Sequence, residues 1–336
     1  MKVLVTGAAG FIGSHLVARL IAEGHAIRAF VRASTDAQRF DPSSVEIVRG
    51  DVCNSQDVER AMDGCHLVFH MAVVRGNRDS IVGGAKTVAR AAVRTGVGRL
   101  VFPSSTRVYG LSRQGALDER TPLRPDSAHG RFKAEAEQAI RELPAKNPVA
   151  VIARLPLVLG PGGSAWRGVV QAVASGRFRL VGAGDNHYHP ADVSDVIDGL
   201  LLCGTVRGIE GRTYLLAGAE SRPLRDIIAM LATLLDVTTS RSAIPAPLLR
   251  AYGRLNGMAV ATAGCDLPLF ERVQLFLQDY RLDVTHARSE LGYSPKITVE
   301  EMLQRTVDSY RQQGVLPVRE KSERLGPDSL SRPQGR

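Results

Sequence analysis

Three glycines, Gly7, Gly10 and Gly13, follow at intervals of three from the apolar, β-branched run Val3-Leu4-Val5-Thr6. That pattern suits phosphate chemistry. A backbone without side chains turns tightly, approaches a pyrophosphate closely and lets the following helix pack against the strand. The helix is written next, with Leu16, Val17, Leu20 and Ile21 on one face and Glu23-Gly24 as its stop. Its N-terminal amides would point at the bound anion. Glycines also punctuate loops for backbone reasons alone, so the weight rests on the strand before them and the helix after.

Other residue types promise less. Cys53, Cys65, Cys203 and Cys265 show no paired spacing, which argues for reduced thiols over a disulfide framework or a zinc site. His187 and His189 stand two apart, but no pair of carboxylates accompanies them, and no metal site is expected. The net charge of +9 comes from arginines scattered along the chain, without a basic run interleaved with aromatics. A nucleic-acid partner is therefore not expected, although diffuse positive charge would help draw in an anionic ligand. No membrane span is evident, and Met1-Lys2-Val3 enters the first strand without room for a signal peptide, so the expected compartment is the cytoplasm.

The elements that must position the glycine loop alternate. Strand patterns at Val3–Val5, Ile27–Val31, Val45–Val48, Leu67–His70, Leu100–Phe102 and Val149–Ala153 are separated mostly by helical ones. This predicts an α/β fold, a doubly wound parallel sheet of Rossmann type covered on both faces, with ligand at the carboxyl ends of its strands. After Gly160-Pro161-Gly162-Gly163 the pattern loosens, with helices around Asp192–Leu202, Leu224–Leu235 and Thr285–Leu291. The expected organisation is a nucleotide-binding domain over 1–160, to which some later elements return, and a smaller mixed substrate lobe over 161–315. Thr298-Val299-Glu300-Glu301 reads as a capping box opening a last helix toward Gln313, and the charged, Pro- and Gly-containing stretch 316–336 as a disordered tail.

Taken in order, these motifs resemble the extended short-chain dehydrogenase/reductase family, within the NAD-dependent epimerase/dehydratase-like superfamily, over about residues 1–310. Thr6-Gly7-Ala8-Ala9-Gly10-Phe11-Ile12-Gly13 matches the nucleotide loop. Gly50-Asp51-Val52 matches the segment against the adenine, and Val68-Phe69-His70-Met71-Ala72 the strand end beneath the cofactor. Pro103-Ser104-Ser105-Thr106-Arg107-Val108-Tyr109-Gly110 resembles the catalytic serine segment, with the hydroxyl at Ser105. Arg154-Leu155-Pro156-Leu157-Val158-Leu159-Gly160-Pro161 resembles the strand and turn flanking the nicotinamide. The resemblance thus implies a cofactor site made from Gly7, Ala9, Gly10, Phe11, Ile12 and Gly13 with Asp51, Val52, Met71, Ala72, Pro156 and Val158. At the end of the second strand Arg28-Ala29-Phe30-Val31-Arg32 offers an arginine in place of a ribose-binding carboxylate. Arg32 can pair with a 2′-phosphate, so NADP is expected, with NAD the alternative; Asp36 falls a few residues late.

The family's catalytic tyrosine and lysine stand four apart, one helical turn. Here the segment reads His129-Gly130-Arg131-Phe132-Lys133: the lysine is kept and the tyrosine replaced. The resemblance assigns Lys133 to the nicotinamide ribose, and His129 to proton exchange with the substrate oxygen. Imidazole is a competent acid or base but reaches roughly 2 Å less far than a phenol, so a bridging water or a differently seated substrate is needed. A nearby Lys133 ammonium favours neutral imidazole, which suits a base. Two alternatives stand beside this: His129 binds substrate while Ser105, Thr106, Tyr188 or water supplies the proton, or the protein holds cofactor without catalysis. Tyr109 belongs to the serine segment and is no substitute.

Nucleotide-sugar members carry an asparagine where this chain has Leu157 and an arginine where Gly182-Ala183-Gly184-Asp185-Asn186-His187-Tyr188 puts Tyr188. Losing both contacts costs about 1.5–3 kcal/mol each and demotes the epimerase and dehydratase readings, which remain as alternatives along with other non-redox reactions. The chain looks more like ketone reductases and hydroxysteroid-type dehydrogenases. Thr106, Tyr188 and His189 are the candidate substrate contacts, and Leu248, Leu249, Tyr252, Leu255, Met258 and Val260 of the segment Ala246–Pro268 a candidate apolar lining. Asp195 matches the family's helix-capping aspartate. A homodimer through helices near Gly83–Arg94 and Arg131–Leu143 is also implied. The expected function is NADP-dependent interconversion of a ketone and a secondary alcohol on a small, largely apolar molecule.

Overall fold

The computed structural model describes residues 1–317, apart from 37, 39, 75, 111, 144–149 and 239–243; the tail beyond 317 and Val149 of the expected sixth strand lie outside the described residues. The first half runs β1 (Lys2–Thr6), α1 (Phe11–Ala22), β2 (Ala26–Val31), β3 (Val45–Arg49), α2 (Ser55–Met62), β4 (Leu67–His70), α3 (Gly84–Thr95), β5 (Arg99–Ser105), β6 (Ser112–Leu117), α4 (Ala128–Arg141) and β7 (Ala150–Leu155). The second half runs β8 (Val158–Leu159), α5 (Arg167–Ala174), β9 (His187–Tyr188), β10 (Ala191–Asp192), α6 (Val193–Thr205), β11 (Thr213–Leu215), β12 (Arg222–Pro223), α7 (Leu224–Leu235), α8 (Ala246–Ala263), α9 (Phe270–Leu277), β13 (Asp279–Leu282), α10 (Thr285–Leu291) and α11 (Val299–Gln312).

Seven strands form one parallel sheet in the order β3-β2-β1-β4-β5-β7-β11. Successive side chains of a strand face opposite sides, and both sides are apolar. Val3 and Val5 pack toward Leu16, Val17 and Leu20 of α1 and Val196, Ile197 and Leu200 of α6. Leu4 points the other way, into a core with Val58 of α2, Val88 and Ala89 of α3, and Phe132, Ala136 and Ile140 of α4. Each such fully buried aliphatic side chain stabilises the fold by about 1.5–3 kcal/mol. Ile21, placed on the buried face of α1 by its spacing, is 36 % exposed. The strand order reverses direction between β1 and β4, and the crevice at that switch point is where an α/β sheet takes ligand.

The later residues contribute to this sheet as well as covering it. α6 packs on the sheet and β11 completes it, and three residues were too few to give β11 a strand pattern in sequence. A separate apolar core joins Trp166 and Val170 to Leu224 and Ile227 of α7 and Leu303, Val307 and Tyr310 of α11. Thr298 caps α11 by accepting from the Glu301 amide at 3.2 Å. The capping role expected of Asp195 falls instead to Asp192, which accepts from the Ser194 amide at 2.7 Å. Asp195 serves the fold in another way, accepting from the Lys296 and Ile297 amides at 3.0 and 3.1 Å and so tying the approach to α11 onto α6. Among the described residues, no helix is long and apolar enough to cross a membrane.

Candidate active site

The glycine loop leaves β1 with Gly7 at φ +66°, a conformation that L side chains rarely adopt. A Cβ there would stand 2.7 Å from the Ala72 backbone, and one on Gly13 would stand 2.2 Å from the Gly7 carbonyl oxygen. The Gly10 amide closes the turn on that same oxygen at 2.9 Å. α1 then starts at Phe11 with no acidic residue in its first turn. Its first amides have no partner within the helix, so together with the dipole they form a cradle that fits a pyrophosphate. Thr6 pins this loop to the next strand: its Oγ1 accepts from the Ala72 amide at 3.1 Å and is hydrogen-bonded to His70 Nδ1 at 2.9 Å. His70 stacks on Phe102 at 5.9 Å. Its burial, helped by the Lys133 charge, pushes its pKa down to about 3, so it stays neutral.

From this loop a cleft of about 560 Å³ runs over the ends of β4, β5 and β7 toward the second-half elements. Ser105 ends β5, and its Oγ accepts from the Arg107 amide at 3.2 Å, which starts the short turn Thr106–Tyr109. α4 lies hard against that turn. A Cβ on Gly130 would come 2.4 Å from the Arg107 carbonyl oxygen, so only glycine lets the first turn of α4 carry His129 into the cleft. Ser127 accepts from the Gly130 amide at 3.2 Å, and Asp266 takes the Ala128 amide, fixing where the helix begins.

Lys133 follows one turn later, 5 % exposed, its Nζ donating to the Pro103 carbonyl at 2.7 Å and lying 4.8 Å from the centre of the Phe102 ring. Burial pushes its pKa down to about 8, against the opposing field of Glu137. Beneath it is an anchored polar network. Arg154 gives two hydrogen bonds to the Glu137 carboxylate, 3.0 Å from Nε and 2.8 Å from Nη2, and a third to the Tyr109 hydroxyl at 2.7 Å. Burial works to raise the Glu137 carboxyl, but the bonds from Arg154 outweigh it and hold it below the usual range. Tyr109, fully buried and donating to the Asp118 carbonyl, belongs to this network and not to the cleft.

The cleft brings together Gly7, Gly10, Phe11, Ile12, Gly13, Met71, Ser105, Thr106, His129, Lys133, Pro156, Val158 and Tyr188. Ala9 and Ala72 adjoin it in the chain. Arg32, Asp51 and Val52 follow β2 and β3, outside the cleft lining but at the same edge of the sheet; Arg32 is exposed, and its loop is held where Arg49 Nη1 donates to the Ala33 and Thr35 carbonyls at 2.8 and 3.0 Å. One substrate assignment needs correction. His189 is buried away from the cleft, its Nε2 bonded to the Gly218 carbonyl and its Nδ1 accepting from the Leu282 amide, so it is a structural tie. Tyr188 lines the cleft, but its hydroxyl donates to the Leu275 carbonyl at 2.8 Å and what it offers is ring surface. The apolar stripe of α8 does not line the cleft either: Leu248, Leu255 and Met258 are exposed.

The apolar wall comes instead from Leu157, Trp166, Val169 and Leu275, beside Gln274 and Gln278. Trp166, the sole tryptophan, could have been suspected from its place just past the Gly160–Gly163 break. α9 is eight residues long and gave no periodic signal. Arg107 stands within the serine segment, and nothing in its spacing marks it as more than a solvated arginine. Its residue lines the cleft, and its Nη1 is buried with no hydrogen-bond partner among the described residues.

This geometry has relatives. Residues 3–217 match the model of the NAD dependent epimerase/dehydratase family. The chain belongs to that family. It is an NAD(P)-dependent enzyme of the extended short-chain dehydrogenase/reductase type. It is 28 % identical over 338 residues, 95 % of this chain and the whole of the relative, to a 4-hydroxy-2-methyl-3-oxo-4-farnesyl-3,4-dihydroquinoline-1-oxide ketoreductase of Stigmatella aurantiaca. It is 30 % identical over 325 residues, 89 % of this chain and 95 % of the relative, to sterol demethylase protein B of Methylococcus capsulatus. Among solved structures, MoeE5 in complex with UDP-glucose and NAD superposes with a TM-score of 0.71 at 25 % identity, covering 93 % of this chain and 99 % of that one.

Proposed function

We propose that the protein uses NADP to interconvert a ketone and a secondary alcohol on a small, largely apolar substrate. The observation that carries this reading is the convergence of Ser105, His129 and Lys133 on one cleft whose near end is the glycine cradle and whose far wall is Leu157, Trp166, Val169 and Leu275. When bound there, a nicotinamide dinucleotide supplies or accepts the hydride. The cradle of Gly7, Gly10 and Gly13 holds its pyrophosphate, and Lys133, oriented by the Pro103 carbonyl, takes the ribose. Ser105 fixes the substrate oxygen by hydrogen bond, and His129 exchanges the proton with it directly or across one water. The apolar wall excludes bulk water and binds the rest of the substrate.

Arg32, exposed after β2, supports NADP over NAD, since it can pair with a 2′-phosphate. The Stigmatella relative's name, which describes a farnesyl-bearing ketone, agrees with an apolar substrate. MoeE5 binds UDP-glucose, but here Leu157 offers a diphosphate nothing and the Tyr188 hydroxyl is spent on Leu275. The reading includes a cytoplasmic homodimer joined through α3 and α4, which light scattering on the purified protein tests; free Cys53, Cys65, Cys203 and Cys265 fit a reducing compartment.

The test is NADPH oxidation across a panel of alkyl and aryl ketones, with His129→Ala alongside. Turnover is expected to fall at least ~10²-fold in the variant while NADPH still binds. An unchanged rate removes His129 from the chemistry, and no turnover on any ketone despite NADPH binding removes the redox reading.

A further inference from the structure

The amphipathicity of α8 is inverted. Its inward face carries a polar anchor: Asn256 is fully buried, its Nδ2 donating to the Asp126 carbonyl at 3.0 Å and to Asp266 Oδ1 at 2.9 Å, while its Oδ1 accepts from the Leu267 amide at 2.7 Å. Two further contacts fix the same orientation. Arg131 of α4 donates to the Val260 carbonyl at 2.7 Å, and Gly253 lies so close to α9 that a Cβ on it would stand 2.9 Å from Leu277 Cδ1. With that face held inward, the large apolar residues Leu248, Leu255 and Met258 are turned to solvent, 71, 52 and 58 % exposed. They form one stripe: Leu248, Ala251, Leu255 and Met258 recur at intervals of three and four, on one side of the helix, and exposed Ile244 precedes them. The Tyr252 hydroxyl donates to the Pro268 carbonyl and so holds against α8 the loop that carries exposed Leu269.

Charge decides what such a stripe meets. α8 contains no aspartate or glutamate, and its two charged residues, Arg250 and Arg254, are exposed on one flank of the stripe with no ion-pair partner among the described residues. Two copies of α8 packed stripe to stripe would gather arginines with no carboxylate of the helix to meet them, which disfavours self-association. An anionic lipid surface answers both features, with acyl chains for the stripe and headgroup phosphates for the guanidiniums. We infer that α8 docks the protein on a bilayer rich in anionic lipid, lying in the plane of the headgroups with Leu248, Leu255 and Met258 inserted. α9, which contributes Leu275 to the cleft, packs on the inward face of α8, so docking sets that wall of the cleft one helix away from the lipid.

Co-sedimentation of the full chain with vesicles tests this, comparing an equal mixture of phosphatidylglycerol and phosphatidylcholine with phosphatidylcholine alone. Native protein is expected to partition onto the anionic vesicles at least ~10-fold more strongly than onto the neutral ones. Replacing the stripe, as Leu248→Ser, Leu255→Ser and Met258→Ser together, keeps every charge and is expected to lower that partition at least ~10-fold. Arg250→Gln with Arg254→Gln is expected to lower it by about the same factor. Thermal melting checks that each variant folds. Leu255→Trp adds a local readout: its emission is expected to shift to the blue when anionic vesicles are added, whereas the native protein, whose sole tryptophan Trp166 is buried, shows no shift. Native protein that stays in the supernatant overturns the inference. So does a stripe variant that binds as tightly as the native protein, which would leave only the diffuse positive charge of the chain at work. A stripe variant whose mass by light scattering falls below the native value assigns the face to a second copy and overturns it too.

Discussion

Replacing Glu137 by Gln removes a charge from the most enclosed polar group beneath the site. The side chains of Glu137 and Arg154 are 0 % and 3 % exposed, and they share two hydrogen bonds of 3.0 and 2.8 Å, so neither solvent screening nor flexibility weakens the pair. Arg154 also supports Tyr109, and Arg141 adds a further contact to Glu137 at 3.0 Å. Removing one partner of such a pair strands the other, which costs about 3–5 kcal/mol. Glu137→Gln is therefore expected to lower unfolding free energy by that amount in urea titrations followed by the fluorescence of Trp166. Replacing both partners, as Glu137→Leu with Arg154→Met, is expected to cost about 2–3 kcal/mol less than the sum of the single losses. The same loss removes the field that opposes the lowering of Lys133, so the ammonium of the variant should titrate below the native value of about 8. A Glu137→Gln variant that loses less than about 1 kcal/mol, or single losses that simply add, refutes the reasoning.

The buried imidazole of His70 gives a pH signature. Folded, it resists protonation down to about pH 3, while the unfolded chain takes the proton near 6.5, so the stability it allows is complete above pH 6.5 and is lost as pH falls. Between pH 7 and 4.5 the native protein should lose ~2–3 kcal/mol relative to His70→Gln in urea midpoints, and a difference that does not change with pH would count against a neutral His70. At the edge of the cofactor site, Arg32→Ala is expected to weaken NADPH about 10-fold by fluorescence titration and to leave NADH within about twofold, the value of one exposed charge-assisted contact; equal losses for the two cofactors would remove Arg32 from their discrimination.

The sheet was legible because its strands are buried on both faces: Val3–Val5, Ile27–Val31 and Leu67–His70 read as continuous apolar runs, and Gly7 and Gly13 are each required by a close approach that the sequence pattern implies. Asp195 misled because a carboxylate near a helix start can bond either its own amides or another segment's, and sequence does not tell which. His189 misled for a similar reason, as an imidazole near a site in the chain is equally able to satisfy backbone groups away from it. The substrate wall was the hardest part. Trp166, Leu275 and Gln278 come from segments more than a hundred residues apart, so their meeting depends on how the later elements fold back over β5 and β7. Apolar spacing pointed to α8, whose Leu248, Leu255 and Met258 face outward, while short α9 supplies Leu275 to the wall.

The central claim is that hydride passes between NADP and a carbonyl carbon held by Ser105 and His129. A single turnover with NADPH deuterated on the transferring face of its nicotinamide, using a long-chain methyl ketone and an aryl ketone as substrates, tests it most directly. Mass spectrometry of the product alcohol is predicted to find one deuterium on the carbinol carbon. Product without deuterium, or bound cofactor with neither ketone reduced, contradicts the account.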